Sequence, residues 1–254
     1  MKTYIYGIID SNEDIDEATI GLNGTHIYNI PYRDIGIVVS DLNKHSKDPV
    51  NSHTSVHNNI VEKVMQRFTI IPVRFHTYFN RENVLCMMKN HYNDFRENLD
   101  RLRNKAVFNI RVIWKGDEIR EQITREYTWK NYRKFIAHAS HGERFIEDGF
   151  EKYTIEQELL EKADICASII DNFLNRFASD NRIEKLKIND LFLNAFYLVE
   201  KRKQKDFIGA FNVLKIAPGD FRSLCSGPMP PYNFVNLEFS AGLGDPYQTR
   251  KEAV

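Results

Sequence analysis

His53 and His57 stand four residues apart, a spacing at which two imidazoles on one helical face can share a metal ion. No glutamate follows His53 as the helix of a zinc protease requires, and no third ligand lies nearby in the sequence. The pair therefore reads as ordinary surface residues on a half-exposed helix, and His138 with His141 as residues of a flexible connection. Cys86, Cys166 and Cys225 contain no CxxC pair, so their pattern supports no zinc site. A Gly-x-Ser-x-Gly elbow and a P-loop are both missing. Gly242-Leu243-Gly244 lacks the third glycine and the following helix of a dinucleotide fingerprint. The acid pairs Glu143 with Glu147 and Glu156 with Glu161 fall on solvated helix faces, where carboxylates are routine. The densest basic run, Lys201-Arg202-Lys203-Gln204-Lys205, sits at a strand-to-helix turn and reads as solvated charge. No strand carries the aromatic pattern of an RNA-binding sheet. The residues thus assign no catalytic group, no metal and no cofactor.

Two stretches remain with side chains suited to contact. Ser226-Gly227-Pro228-Met229-Pro230-Pro231-Tyr232-Asn233-Phe234-Val235 contains three prolines, which fix φ and remove backbone donors. The run is expected to be a stiff extended strip with Tyr232 and Phe234 projecting to one side. Such a strip loses little entropy on docking, whether onto its own domain as a buttress or onto a partner. Arg74, between Val73 and Phe75, is a strand cation. It either pairs with a nearby carboxylate or presents a bidentate donor to a partner.

The elements that must position these stretches follow from periodicity. Residues 3–9 read as a strand, and 26–32 with 35–40 as a hairpin turning at Arg33-Asp34. A helix over 53–68 buries Val56, Ile60, Val64 and Phe68. A short strand carries Ile71, Val73 and Phe75 on one face. The spacing of Val84, Met88, His91, Phe95, Leu99 and Leu102 predicts one long helix over 81–105, followed by a strand over 106–115. Strands and helices in this order suit a helix-backed antiparallel sheet. The turn at Lys115-Gly116-Asp117 marks the expected boundary between a domain over 1–115 and a second over 116–254. The second reads as a helix or helix pair over 118–137, a mobile connection over 138–149, and a helix capped by Thr154 with Gln157. A hairpin over 183–188 and 191–200, a helix over 206–216 and a strand over 221–225 lead into the proline strip. The tail from Gly242 onward is expected to be loosely held.

The chain has 254 residues, enough for real cores, with 42% hydrophobic side chains. Its 35 basic and 35 acidic residues cancel, so no net field gathers phosphates or anionic lipid. Three scattered cysteines fit a reducing compartment. There is no basic segment followed by an apolar run at the start and no window apolar enough for a membrane span. The expectation is a soluble cytoplasmic protein.

The proline strip resembles the Gly-Pro-Trp-Pro-Pro-Tyr-Ser/Asn-Phe-Val signature near the end of the gas vesicle protein F/L family. The segment Thr69-Ile70-Ile71-Pro72-Val73-Arg74-Phe75-His76-Thr77-Tyr78-Phe79 is similar to that family's Leu-Pro-Val-Arg-Phe-Gly-Thr-Val-Phe. Tyr4-Ile5-Tyr6-Gly7-Ile8 and residues 191–199 fit as well, in the same order along the chain. Met229 stands where the family usually has Trp, which removes a large aromatic anchor. His76 stands where it usually has Gly, from which the backbone there is expected not to need positive φ. The resemblance implies an α+β fold with a ferredoxin-like N-terminal antiparallel sheet, then helices with a small antiparallel sheet. It also implies an accessory structural protein of gas vesicle assembly, a minor vesicle component on the gas-facing side. Its partners would be the small hydrophobic main shell protein and other gas vesicle accessory proteins, with no nucleic acid and no membrane. The residues placed at the contact are Arg74, Phe75, Pro230, Pro231, Tyr232 and Phe234. The rival classes are an enzyme with a cleft between the domains and an RNA-binding module.

Overall fold

In the computed structural model the described residues are 2–15, 20–41, 50–114, 121, 125, 141–184, 191–216 and 221–235. They form helices and two sheets, divided between two compact units. Unit 1 runs to Val107 and resumes at Pro228; unit 2 spans Phe108–Gly227.

Unit 1 is built on β1 (Lys2–Ile9), which pairs antiparallel with β3 (Ile35–Asp41) on one side. On the other side it pairs with β4 (Ile70–Pro72) and β5 (Tyr78–Asn80), also antiparallel. Strand β2 (Ile27–Tyr32) closes the far edge as the hairpin partner of β3. The hairpin turns at Arg33-Asp34 as the sequence predicts, with Arg33 in the left-handed region at φ 56°. The β1–β3 register shifts between Ile5 and Gly7, so Tyr6 is an inserted residue. A bulge of this kind re-aims side chains. Here Tyr4 and Tyr6 are both fully buried, their ring centroids 4.9 Å apart. Gly7 is required beside them, since a Cβ there would lie 2.8 Å from the Ile71 carbonyl oxygen.

Helix α1 (Val50–Arg67) contributes Ile60, Val61 and Val64 to the core that holds Tyr4, Tyr6, Ile9, Val38 and Ile70. Its buried line is centred on His57, Ile60, Val61 and Val64, while Val56 and Phe68 are half-buried. The predicted helix over 81–105 is two helices, α2 (Arg81–Asn90) and α3 (Tyr92–Leu102), parted at His91. That residue takes φ −111° and ψ 19°, which ends one helix without disturbing the buried line of Val84, Met88, Phe95, Leu99 and Leu102.

Strand β6 (Lys105–Trp114) was expected to complete the N-terminal sheet. It lies instead in the second sheet, ordered β7-β8-β6-β9. Phe108, Ile110 and Val112 belong to the core of unit 2, which is why the units divide at Val107 rather than at the expected turn. Helix α4 (His141–Leu174) runs through the stretch expected as a mobile connection and through the expected cap at Thr154. A one-turn 3-10 segment follows it (Asn175–Phe177), then β7 (Asp180–Glu184), antiparallel to β8 (Leu191–Glu200). Helix α5 (Gln204–Ile216) places Phe207 against Phe108 and Tyr197, at centroid distances of 5.1 and 5.4 Å. Strand β9 (Phe221–Met229) ends the sheet as an edge, a position that tolerates Pro228. Of the helix or helix pair over 118–137, only residues 121 and 125 fall within the described set, and the tail from Gly242 lies outside it.

Candidate functional site

The two stretches singled out for contact converge on His57. This residue lies on the inner face of α1 and is fully buried. Its Nε2 is 3.0 Å from the Val73 carbonyl oxygen, just beyond β4. A carbonyl only accepts, so Nε2 carries the proton. The same N–H is shared with the Tyr232 hydroxyl oxygen of the proline strip, at 3.1 Å. Nδ1 is left with a lone pair, and the Tyr4 hydroxyl of β1 donates to it across 2.7 Å. The backbone N–H of His76 is a further donor to the Tyr4 oxygen. The Tyr6 ring stacks on the imidazole at 5.6 Å and 23°, and Phe75 meets it edge-on at 5.9 Å. Tyr6 is held in turn by the Leu22 backbone N–H (2.9 Å) and by Ser40 Oγ (3.1 Å).

Each titratable group in this cluster is neutral, and burial is the main cause. Burial pushes His57 down to about 4, against a smaller opposing effect of the Val73 carbonyl. Burial raises Tyr4, Tyr6 and Tyr232, and the nearby Glu62 carboxylate raises Tyr232 further. Both imidazole nitrogens are engaged by protein groups, which leaves His57 no lone pair for a metal ion. Among the described residues no group of three or more His, Cys, Asp or Glu is placed to hold one. The cluster joins sheet, helix, loop and strip through neutral hydrogen bonds, and that is a clamp rather than acid–base machinery.

The strip is not extended. Tyr232–Phe234 form a 3-10 turn, with the Tyr232 N–H on the Pro230 carbonyl (2.9 Å) and the Phe234 N–H on the Pro231 carbonyl (3.0 Å). Residues two apart in such a turn point in different directions, so Tyr232 reaches His57 while Phe234 is buried separately. Pro230, Pro231 and Phe234 are buried and Tyr232 is half-buried. The Phe234 carbonyl accepts a hydrogen bond from Arg101 at the end of α3, and the Arg101 carbonyl takes one from Lys105 Nζ (2.6 Å). Arg74 is exposed and Phe75 half-buried, in the loop between β4 and β5. That loop also corrects the expectation for His76, whose φ is 71°. The left-handed conformation is present even though the residue is not glycine. It is braced by Thr77 Oγ1 donating to the Arg74 carbonyl (2.7 Å) and by the His76 Nδ1–Tyr78 hydroxyl pair (3.1 Å).

The expectation of His57 as a surface residue is overturned, because its ring is fully buried and bonded at both nitrogens. The available signal was its place on the line His57, Ile60, Val61 and Val64, which is the buried line of α1. The six residues expected at a contact are thus brought into one region of unit 1, but four of them belong to the strip and only Tyr232 among those keeps partial exposure.

The family model described as gas vesicle synthesis protein GvpL/GvpF matches residues 2–236. The chain belongs to the GvpL/GvpF family. Gas vesicle protein F1 of Halobacterium salinarum is 22% identical over 243 residues, covering 94% of each chain. Gas vesicle protein F of Haloferax mediterranei is 23% identical over 244 residues, covering 94% of this chain and 95% of its own. The crystal structure of GvpF from Anabaena sp. PCC7120 matches with a TM-score of 0.80 at 17% identity, over 94% of this chain and 99% of that one. GvpF from Microcystis aeruginosa matches with a TM-score of 0.77 at 16% identity, over 93% and 99%. At these identities the likeness establishes the fold, a mixture of helices and antiparallel sheet. Membership of the GvpL/GvpF family supports a role in gas vesicle formation. Among the described residues no helix is long and apolar enough to cross a membrane.

Proposed function

We propose that the chain is a cytoplasmic, non-enzymatic accessory protein of gas vesicle assembly that binds the small hydrophobic main shell protein. A shell subunit with exposed apolar surface aggregates unless it is held or added to a growing edge. The loop at Arg74-Phe75 is the contact under this reading, and the strip over 230–234 supports it from within unit 1. The observation that supports this assignment is the shared bond on His57 Nε2, where Val73 from one family-like segment meets Tyr232 from the other. Arg74, His76 and Tyr78 stand beside half-buried Phe75 at the surface, a cation among aromatic edges of the kind that marks contact surfaces. Other gas vesicle accessory proteins are further partners, and the protein remains at the gas-facing side of the vesicle.

The test is capture of purified shell protein by wild type, by the pair Arg74→Glu with Phe75→Ala, and by Tyr232→Phe. Circular dichroism confirms that each is folded. The pair is expected to lose binding about tenfold or more, as for two central contact residues, while Tyr232→Phe retains it. Undiminished capture by the Arg74/Phe75 pair overturns the assignment of the loop.

A further inference from the structure

We infer that α4 carries a two-fold docking surface for a second copy of this chain. The helix covers its own sheet with Ala167, Ile170, Phe173 and Leu174, which pack in the unit 2 core. On its opposite side Ile165 and Ile169 stand 60% and 57% exposed, one helical turn apart. Neither belongs to the core of unit 2. They lie on one line with Glu158, Lys162, Asn172 and Arg176, the last in the 3-10 turn that follows the helix. Successive members are four, three, four, three and four positions apart, the spacing of a seam between two packed helices.

The line is also self-complementary when a copy of itself runs antiparallel. The midpoint of the set falls at Ala167. A two-fold axis there sets Ile165 against Ile169 of the second copy, Lys162 against Asn172 and Glu158 against Arg176. The two apolar layers sit at the centre. A Lys-to-amide hydrogen bond flanks them on each side, and an ion pair of opposite charges closes each end. A two-fold contact of this kind is isologous, each residue meeting its counterpart twice. A parallel pairing would instead stack Glu158 on Glu158, Lys162 on Lys162 and Arg176 on Arg176, which opposes that arrangement. From residue 158 to 176 the seam is roughly 27 Å long at the usual rise of a helix. A single helix pair of that length buries less than the standard interface, so the dimer is weak, concentration-dependent and sensitive to salt.

Sedimentation velocity over a broad concentration range tests this on the full chain, with circular dichroism as the check on folding. Wild type is expected to pass from monomer to dimer as concentration rises. Ile169→Asp is expected to raise the dissociation constant about tenfold or more. Glu158→Arg weakens the dimer, and Glu158→Arg combined with Arg176→Glu restores it. A wild type that stays monomeric throughout overturns the proposal. So does a dimer that Ile169→Asp leaves intact, or a charge swap that fails to recover association.

Discussion

Acidification puts the His57 clamp under direct test. In the folded chain the imidazole is buried with Nδ1 accepting from Tyr4, and its pKa is pushed down to about 4. In the unfolded chain it titrates near the ordinary histidine value of about 6.5. The unfolded state therefore binds this proton first as pH falls. Stability from His57 is fully present above about pH 6.5 and is lost progressively down to about pH 4. The interval corresponds to about 3 kcal/mol at about 1.4 kcal/mol for each pH unit, a large share of a domain's stability. Protonation also gives Nδ1 a hydrogen while the Tyr4 hydroxyl donates to it and the His76 N–H already occupies the Tyr4 oxygen, so the added proton meets a donor. The facing groups are Tyr4, Tyr6, Phe75, His76 and Tyr232, with Glu62 beyond Tyr232, and none supplies a carboxylate in contact with the ring. The measurement is urea unfolding followed by circular dichroism between pH 8 and pH 4, for wild type and His57→Gln. The glutamine amide can still donate to the Val73 carbonyl and does not titrate. Carboxylate effects are common to both proteins and cancel in the difference. Wild type should lose stability relative to the glutamine variant as pH falls from about 6.5 to about 4. Parallel stability curves for the two proteins across that range would refute the reasoning.

Substitutions at three further positions probe the same structure. His76→Gly and His76→Ala both lose the Tyr78 bond, but only glycine relieves the left-handed backbone, so the glycine variant should be the more stable of the two by about 1 kcal/mol, read from urea midpoints. Phe234→Ala empties a fully buried site and should cost about 3–5 kcal/mol in the same assay, far more than a surface aromatic would. Gly209 lies inside α5, and a methyl group added at its Cα would meet nothing within 4 Å. Gly209→Ala should therefore raise thermal stability by about 1 kcal/mol, and a loss instead would show that the glycine serves a contact.

Much of this fold can be read along the chain because it follows from local pattern. The β2–β3 hairpin, the β1 strand, helix α1 and strand β8 lie where alternation and three-and-four spacing put them, whereas β7 starts at Asp180 instead of at the expected residue 183. Break points were less legible. His91 interrupts a continuous apolar line without a proline or glycine to announce it, and α4 begins well before the capping pattern at Thr154. At His91 the buried line continues on both sides of the break, so the break leaves no mark in the apolar pattern.

The residues alone determine an α+β chain without a catalytic, metal or nucleotide motif, and two proline-bearing segments of a recognisable family. That much is local, because proline, glycine and apolar spacing act on their immediate neighbours. Tertiary structure decided which sheet β6 joins, since an amphipathic strand carries no address for its partner. It also decided that the proline strip folds into a turn on its own unit, and that His57 is a buried hub instead of a ligand. A histidine four residues from another looks the same in sequence whether its ring faces water or the tyrosines of a distant strand, and only the packed core distinguishes the two.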